Sequence, residues 1–134
     1  MIWFVIALIL GHQHINRGIE IENAFVRPAR MGMTAAMYFQ VINRTDKPDT
    51  LYAAYADVFE LAQIHESYMK NGMMGMRRVK FVVVPPKSTF EFKPGGYHIM
   101  LINARKNLVK GDKVNVELWF KRAGKLDINA KVQD

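Results

Sequence analysis

Histidine and methionine, not acids or thiols, are the residues of this 134-residue sequence whose spacing could do chemistry. Cysteine is absent, which removes disulfides, iron–sulfur clusters, Cys-rich zinc modules and every Cys nucleophile. Methionine is abundant instead, with nine in the chain, roughly three times ordinary usage. His98 and Met100 stand at i and i+2 after a Pro94-Gly95-Gly96 turn, so on a strand both side chains leave the same face. His65 is followed by Met69-Lys70-Asn71-Gly72-Met73-Met74-Gly75-Met76, in which the four methionines are broken by two glycines and an asparagine. That composition disfavours a helical core stripe and is expected to form a flexible loop presenting sulfur. Imidazole plus thioether, without thiolate or clustered carboxylates, is a donor set that selects copper, and Cu(I) in particular. Zinc rarely accepts methionine, and calcium and magnesium want oxygen donors, which this stretch offers only through Glu66. Electron-transfer copper centres need a Cys thiolate, so such a site would carry copper and not cycle electrons through it. A lone histidine is more often a hydrogen-bonded core residue, and single methionines are usually core filler. On the residues alone the two readings stand level.

The elements that must position these side chains are strands. Val114, Val116, Leu118 and Phe120 alternate with Lys113, Asn115, Glu117 and Trp119, and Leu126, Ile128, Ala130 and Val132 alternate with polar neighbours in the same way. Arg122-Ala123-Gly124 joins the two runs as a hairpin. Further strands are expected at Ile19–Val26, Thr34–Asn43, Leu51–Phe59, Leu61–Tyr68, Arg77–Val84, Thr89–Lys93 and Tyr97–Asn103, separated by Gly-, Pro- and Asn-containing turns. No segment reads as a capped amphipathic helix of three turns. Many short strands in one small chain mean an all-β sandwich or barrel.

The net charge is +7, but the basic residues are scattered and the densest groups are Arg77-Arg78-Val79-Lys80 and Lys121-Arg122, so nucleic acid is not an expected partner. The apolar run Ile2–Leu10 is too short for a stable membrane span, which takes about 20 residues. It reads as the apolar region of an export signal, with residues 1–18 signal-like and 19–134 the folded domain. No basic residue precedes the run and no Ala-x-Ala follows it, and without a Cys no lipid anchor is expected. Enzymatic chemistry is not expected: Asp112 and Asp127 have no His nearby in sequence, and Ser67 and Ser88 lie in no nucleophile elbow.

His65, Met76, His98 and Met100 together spell H-x10-M-x21-H-x-M. This spacing resembles the signature of the periplasmic copper chaperone family PCuAC, carriers associated with the CuA centre of cytochrome oxidase. Other blocks resemble that family too: Ile21-Glu22-Asn23-Ala24-Phe25-Val26-Arg27-Pro28, Met33-Thr34-Ala35-Ala36-Met37-Tyr38, Ile64-His65-Glu66 and Lys93-Pro94-Gly95-Gly96-Tyr97-His98-Ile99-Met100-Leu101. The likeness runs from about Ile19 to Val132. It implies a cupredoxin-like Greek-key β-sandwich and an exposed Cu(I) site made by His65, Met76, His98 and Met100. It further implies a periplasmic or otherwise extracytoplasmic protein, a monomer, that delivers copper to an apo CuA domain or another copper acceptor. Handover is expected to run through the Met69–Met76 segment, whose two glycines let it move. His12 and His14 are a candidate second copper site, although an HxH near a terminus is more often incidental. A copper storage or resistance protein and a metal-free secreted interaction module are the competing expectations.

Overall fold

The computed structural model describes residues 15–134, so the expectations placed on Ile2–Leu10, His12 and His14 lie outside the described residues. Eleven strands follow in chain order: β1 (Ile15–Asn16), β2 (Ile19–Val26), β3 (Ala35–Asn43), β4 (Asp49–Ala56), β5 (Phe59–Lys70), β6 (Met73–Val79), β7 (Val82–Val84), β8 (Ser88–Phe92), β9 (Tyr97–Ala104), β10 (Lys113–Phe120) and β11 (Gly124–Val132). No helix occurs among the described residues. The neighbour order is β6-β5-β9-β3-β2-β11-β10-β4-β7, with β1 added to β2 and β8 to β3. All pairings are antiparallel except that of β11 with β2. The non-sequential neighbours make this the expected Greek-key sandwich.

Alternation builds the core. In β3 the residues Ala35, Met37, Phe39, Val41 and Asn43 are buried while their neighbours are half-buried, and β10 and β11 repeat the pattern with Val114 to Phe120 and Leu126 to Val132. Phe39 and Phe92 stack at 4.4 Å between ring centroids in the middle of this core. The 43–49 turn is tied down by two buried polar side chains. Asn43 Nδ2 donates to Lys47 O at 2.9 Å, and Asp49 accepts from the backbone N–H groups of Arg122 and Ala123 at 2.8 and 2.9 Å.

Two features position the histidines and methionines. First, β8 and β9 run in succession along the same edge of β3, β8 against residues 39–43 and β9 against residues 35–37. The chain leaves that edge at Lys93–Gly96 and returns with β9 paired on its other side to β5. Secondly, the segment expected as a flexible loop, Met69–Met76, is a regular hairpin. Strand β5 continues to Lys70 and β6 begins at Met73, and the expected strand Arg77–Val84 is two strands because the chain changes partner after Val79, β6 pairing with β5 and β7 with β4. The hairpin's physical reason is Asn71-Gly72, whose φ values of 53° and 77° are those of a type I′ turn, the tight turn that matches strand twist. The second glycine adds no mobility either. A Cβ at Gly75 would lie 2.5 Å from the Tyr68 ring, so Gly75 is there to let the ring lie across the hairpin.

Candidate metal centre

Register decides which side chains meet. Ile64 of β5 pairs with Ile99 of β9, which pairs in turn with Met37 of β3, and all three are buried in the core. The next residues along therefore face the other way. His65 pairs directly with His98, and Arg78 of β6 pairs with His65 from the other side. Tyr38 follows Met37 on β3 and lies alongside His98, with ring centroids 6.2 Å apart. A single row, Tyr38–His98–His65–Arg78, thus crosses four strands on the sheet face away from the core, with the two imidazoles 5.8 Å apart. Met100 and its partner Gln63 occupy the same face two residues along, and Met76 with its partner Ser67 occupy it two residues along in the opposite direction. The structure brings His65 and His98 together and sets Met100 and Met76 on either side of them.

The burial is graded. His98 is only 3% exposed and Met76 is 50% exposed, with His65 and Met100 half-buried between them. His65 Nε2 donates to Gln63 Oε1 at 2.9 Å and the His98 ring is hydrogen-bonded to the Gly96 backbone. The remaining nitrogens, His65 Nδ1 and His98 Nε2, are buried without a partner. An unpaired buried polar atom costs about 1–3 kcal/mol, so two on neighbouring rings are a cost that binding an electrophile would relieve. With Nε2–H held by Gln63, the Nδ1 of His65 carries its lone pair, the form a metal requires. No group of three His, Cys, Asp or Glu side chains that could hold a metal ion exists among the described residues. Two imidazoles with thioethers are therefore the donors this face offers, a set suited to soft, monovalent copper.

Sequence reasoning missed three members of this face. Gln63 holds the His65 tautomer, and its signal was the period of two that places it on the same strand face. Tyr38 covers His98, and Arg78 adds a positive charge beside His65; both depend on strand register, which their own sequence neighbourhoods do not reveal.

The electrostatics point the same way. Burial lowers the pKa of both rings, with Arg78 adding to the effect on His65, while at His98 the Gly96 hydrogen bond partly opposes burial and His65 reinforces it. Both rings are thus held neutral and ready to ligate. The unfolded chain, with ordinary imidazoles near 6.5, takes up protons first as the pH falls. Its greater proton uptake means that apoprotein stability is fully present above about pH 6.5 and declines below it, until the folded rings protonate as well. Urea unfolding between about pH 7.5 and 5, above the carboxylate range of ~4, reads this window. A midpoint that holds constant there, or that rises on acidification, contradicts the neutral pair.

Residues 19–132 match the family described as "Putative lipoprotein LpqE-like". The chain is 32% identical over 118 residues, 87% of its length and 70% of the relative's, to a protein of Leifsonia xyli subsp. xyli named "Putative lipoprotein Lxx21020". Among solved structures it is similar to a copper-bound PCuAC domain from PmoF2, with TM-score 0.76 and 28% identity, covering 89% of this chain and 95% of that one. The Cu(I) form of DR1885 from Deinococcus radiodurans shares the fold at TM-score 0.65 and 22% identity, covering 87% of this chain and 80% of that one. The cupredoxin-like sandwich expected from the sequence is the fold observed.

Proposed function

We propose that this chain, which belongs to the LpqE-like family, is an extracytoplasmic Cu(I) carrier that binds one copper through His65, Met76, His98 and Met100 and passes it to the CuA centre of cytochrome oxidase. The observation that carries the reading is the pair of buried, unpartnered imidazole nitrogens on neighbouring strands, flanked along one face by thioethers. The copper-bound state of the similar PCuAC domain supports it. So does the relative's name, since lipoproteins are displayed outside the cytoplasm. In this reading the apolar run Ile2–Leu10 serves export, and the copper domain is the sandwich of β1 to β11, which takes in Ile15–Asn16 ahead of the boundary expected at Ile19. No helix among the described residues is long and apolar enough to cross a membrane.

A carrier has to hold its cargo against the solvent yet yield it to a partner. The graded burial suits both demands: the imidazoles seat the ion from below, and the exposed Met76 is the ligand an incoming acceptor can displace first. All four donors are neutral, so the complex keeps the +1 charge of the ion and stays open to attack by an acceptor's thiolate. No electron moves in this exchange. The test is an anaerobic Cu(I) titration with X-ray absorption at the copper edge, followed by mixing with an apo CuA domain under NMR observation. One equivalent with mixed nitrogen and sulfur ligation, and copper signals appearing in the CuA domain, are expected. Mixed ligation without transfer would point to storage, and imidazole resonances unperturbed by copper would leave a metal-free interaction module.

A further inference from the structure

We propose that the tip of the β5–β6 hairpin is a second Cu(I) site, formed by the thioethers of Met69, Met74 and Met76, where the ion is captured before it moves to the imidazoles. The inference rests on the copper-carrier reading and adds an entry point to it. Met69 pairs directly with Met74, and Met76 lies two residues farther along β6. Side chains alternate along strands, so these three share the face that carries Ser67, His65 and His98, whereas Met73, paired with Lys70, faces the other way. In a hairpin with a two-residue turn the Lys70–Met73 pair is the hydrogen-bonded one, which makes Met69–Met74 a close, non-hydrogen-bonded pair with Cα atoms about 4.5 Å apart. Two sulfurs on side chains of that reach can meet on one ion, and Met76 is a diagonal neighbour within reach of long side chains.

Their exposure is the second observation. Met69, Met74 and Met76 are 64%, 68% and 50% exposed. Burying such a side chain is worth about 1.5–3 kcal/mol, and the hairpin forgoes that gain three times on one face. Core filling therefore does not account for them. The hairpin is also built to be held in shape, by the type I′ turn at Asn71-Gly72, by Tyr68 lying over Gly75 with Arg77 at 4.9 Å from its ring, and by the Arg77–Glu66 ion pair at 3.0 Å. These contacts sit on the opposite face and leave the sulfur face open. The result is a graded path from an all-sulfur tip, through Met76 as the shared ligand, to the His65–His98 pair. Each move along it forms one copper–sulfur or copper–nitrogen bond as one copper–sulfur bond breaks, and no proton or electron is exchanged.

The test uses the full chain under anaerobic conditions with Cu(I) supplied as its acetonitrile complex. In His65→Leu/His98→Leu one Cu(I) is expected to remain bound with a sulfur-only shell by X-ray absorption, and adding Met69→Leu/Met74→Leu should abolish it. In the otherwise wild-type chain, Met69→Leu/Met74→Leu should leave the affinity and mixed ligation of the final site unchanged. It should also slow loading at least tenfold. Loss of all copper from the folded His double variant, or a loading rate unchanged by the Met double variant, overturns the hairpin site while the carrier reading stands. A wild-type chain whose copper never acquires nitrogen ligands overturns the carrier reading while the sulfur site stands.

Discussion

His98→Ala is expected to weaken Cu(I) binding by about a hundredfold or more, which is ~2.8 kcal/mol. Loss of an outer-shell partner of a metal ligand already costs 10–100-fold, and His98 is the deepest of the four proposed donors. Its ring lies between Tyr38 and His65, at 6.2 and 5.8 Å between centroids, and its Nε2 has no protein partner to compete with the ion. Met76→Ala should cost less, about tenfold, because that side chain is half in solvent and pays for its ordering when it ligates. Competition against a Cu(I) chelator, with circular dichroism to verify the fold, measures both. An affinity for His98→Ala within about threefold of wild type, or a ranking in which Met76 outweighs His98, removes the graded site.

The largest effect on stability is expected at Phe92, where truncation to alanine should remove about 3–5 kcal/mol. Phe92 is 1% exposed, stacks on Phe39 with an interplanar angle of 13°, and approaches Phe90 and Tyr97 at 5.4 and 6.1 Å. Domains of this kind hold only about 5–15 kcal/mol in total, so the variant should unfold at a markedly lower urea concentration. Phe92 is also the last residue of β8 before the chain leaves the edge of β3, and Tyr97 opens β9 next to His98. Copper affinity should therefore fall along with stability. A loss below about 1 kcal/mol in urea denaturation would show that the stacked pair is not what anchors this turn.

Much of the fold was legible in period-two patterning. The runs Val114–Phe120 and Leu126–Val132 are paired strands with Val116 opposite Ile128 and Leu118 opposite Leu126. The same rule placed His98 and Met100 on one face. The Met69–Met76 segment was misread because its glycines were taken as sources of motion, when one sits in a tight turn and the other under a tyrosine ring. The meeting of His65 with His98 was not legible from composition or spacing, because thirty-odd residues and three other strands intervene, and only register across the β5–β9 pair sets it. The depth of His98 was hidden for the same reason: the side chains that cover it come from other strands.

Because His65 and His98 hang from neighbouring, ladder-paired strands, and not from free loops, filling the proposed site should ask for changes no larger than rotamer adjustments. Little of the affinity is then lost to ordering the scaffold, and the empty and loaded forms should share nearly the same backbone. An acceptor would meet one preformed docking shape whether or not there is cargo to collect, so traffic would be directed by the competition between donors on the two proteins and not by a shape-based signal of occupancy.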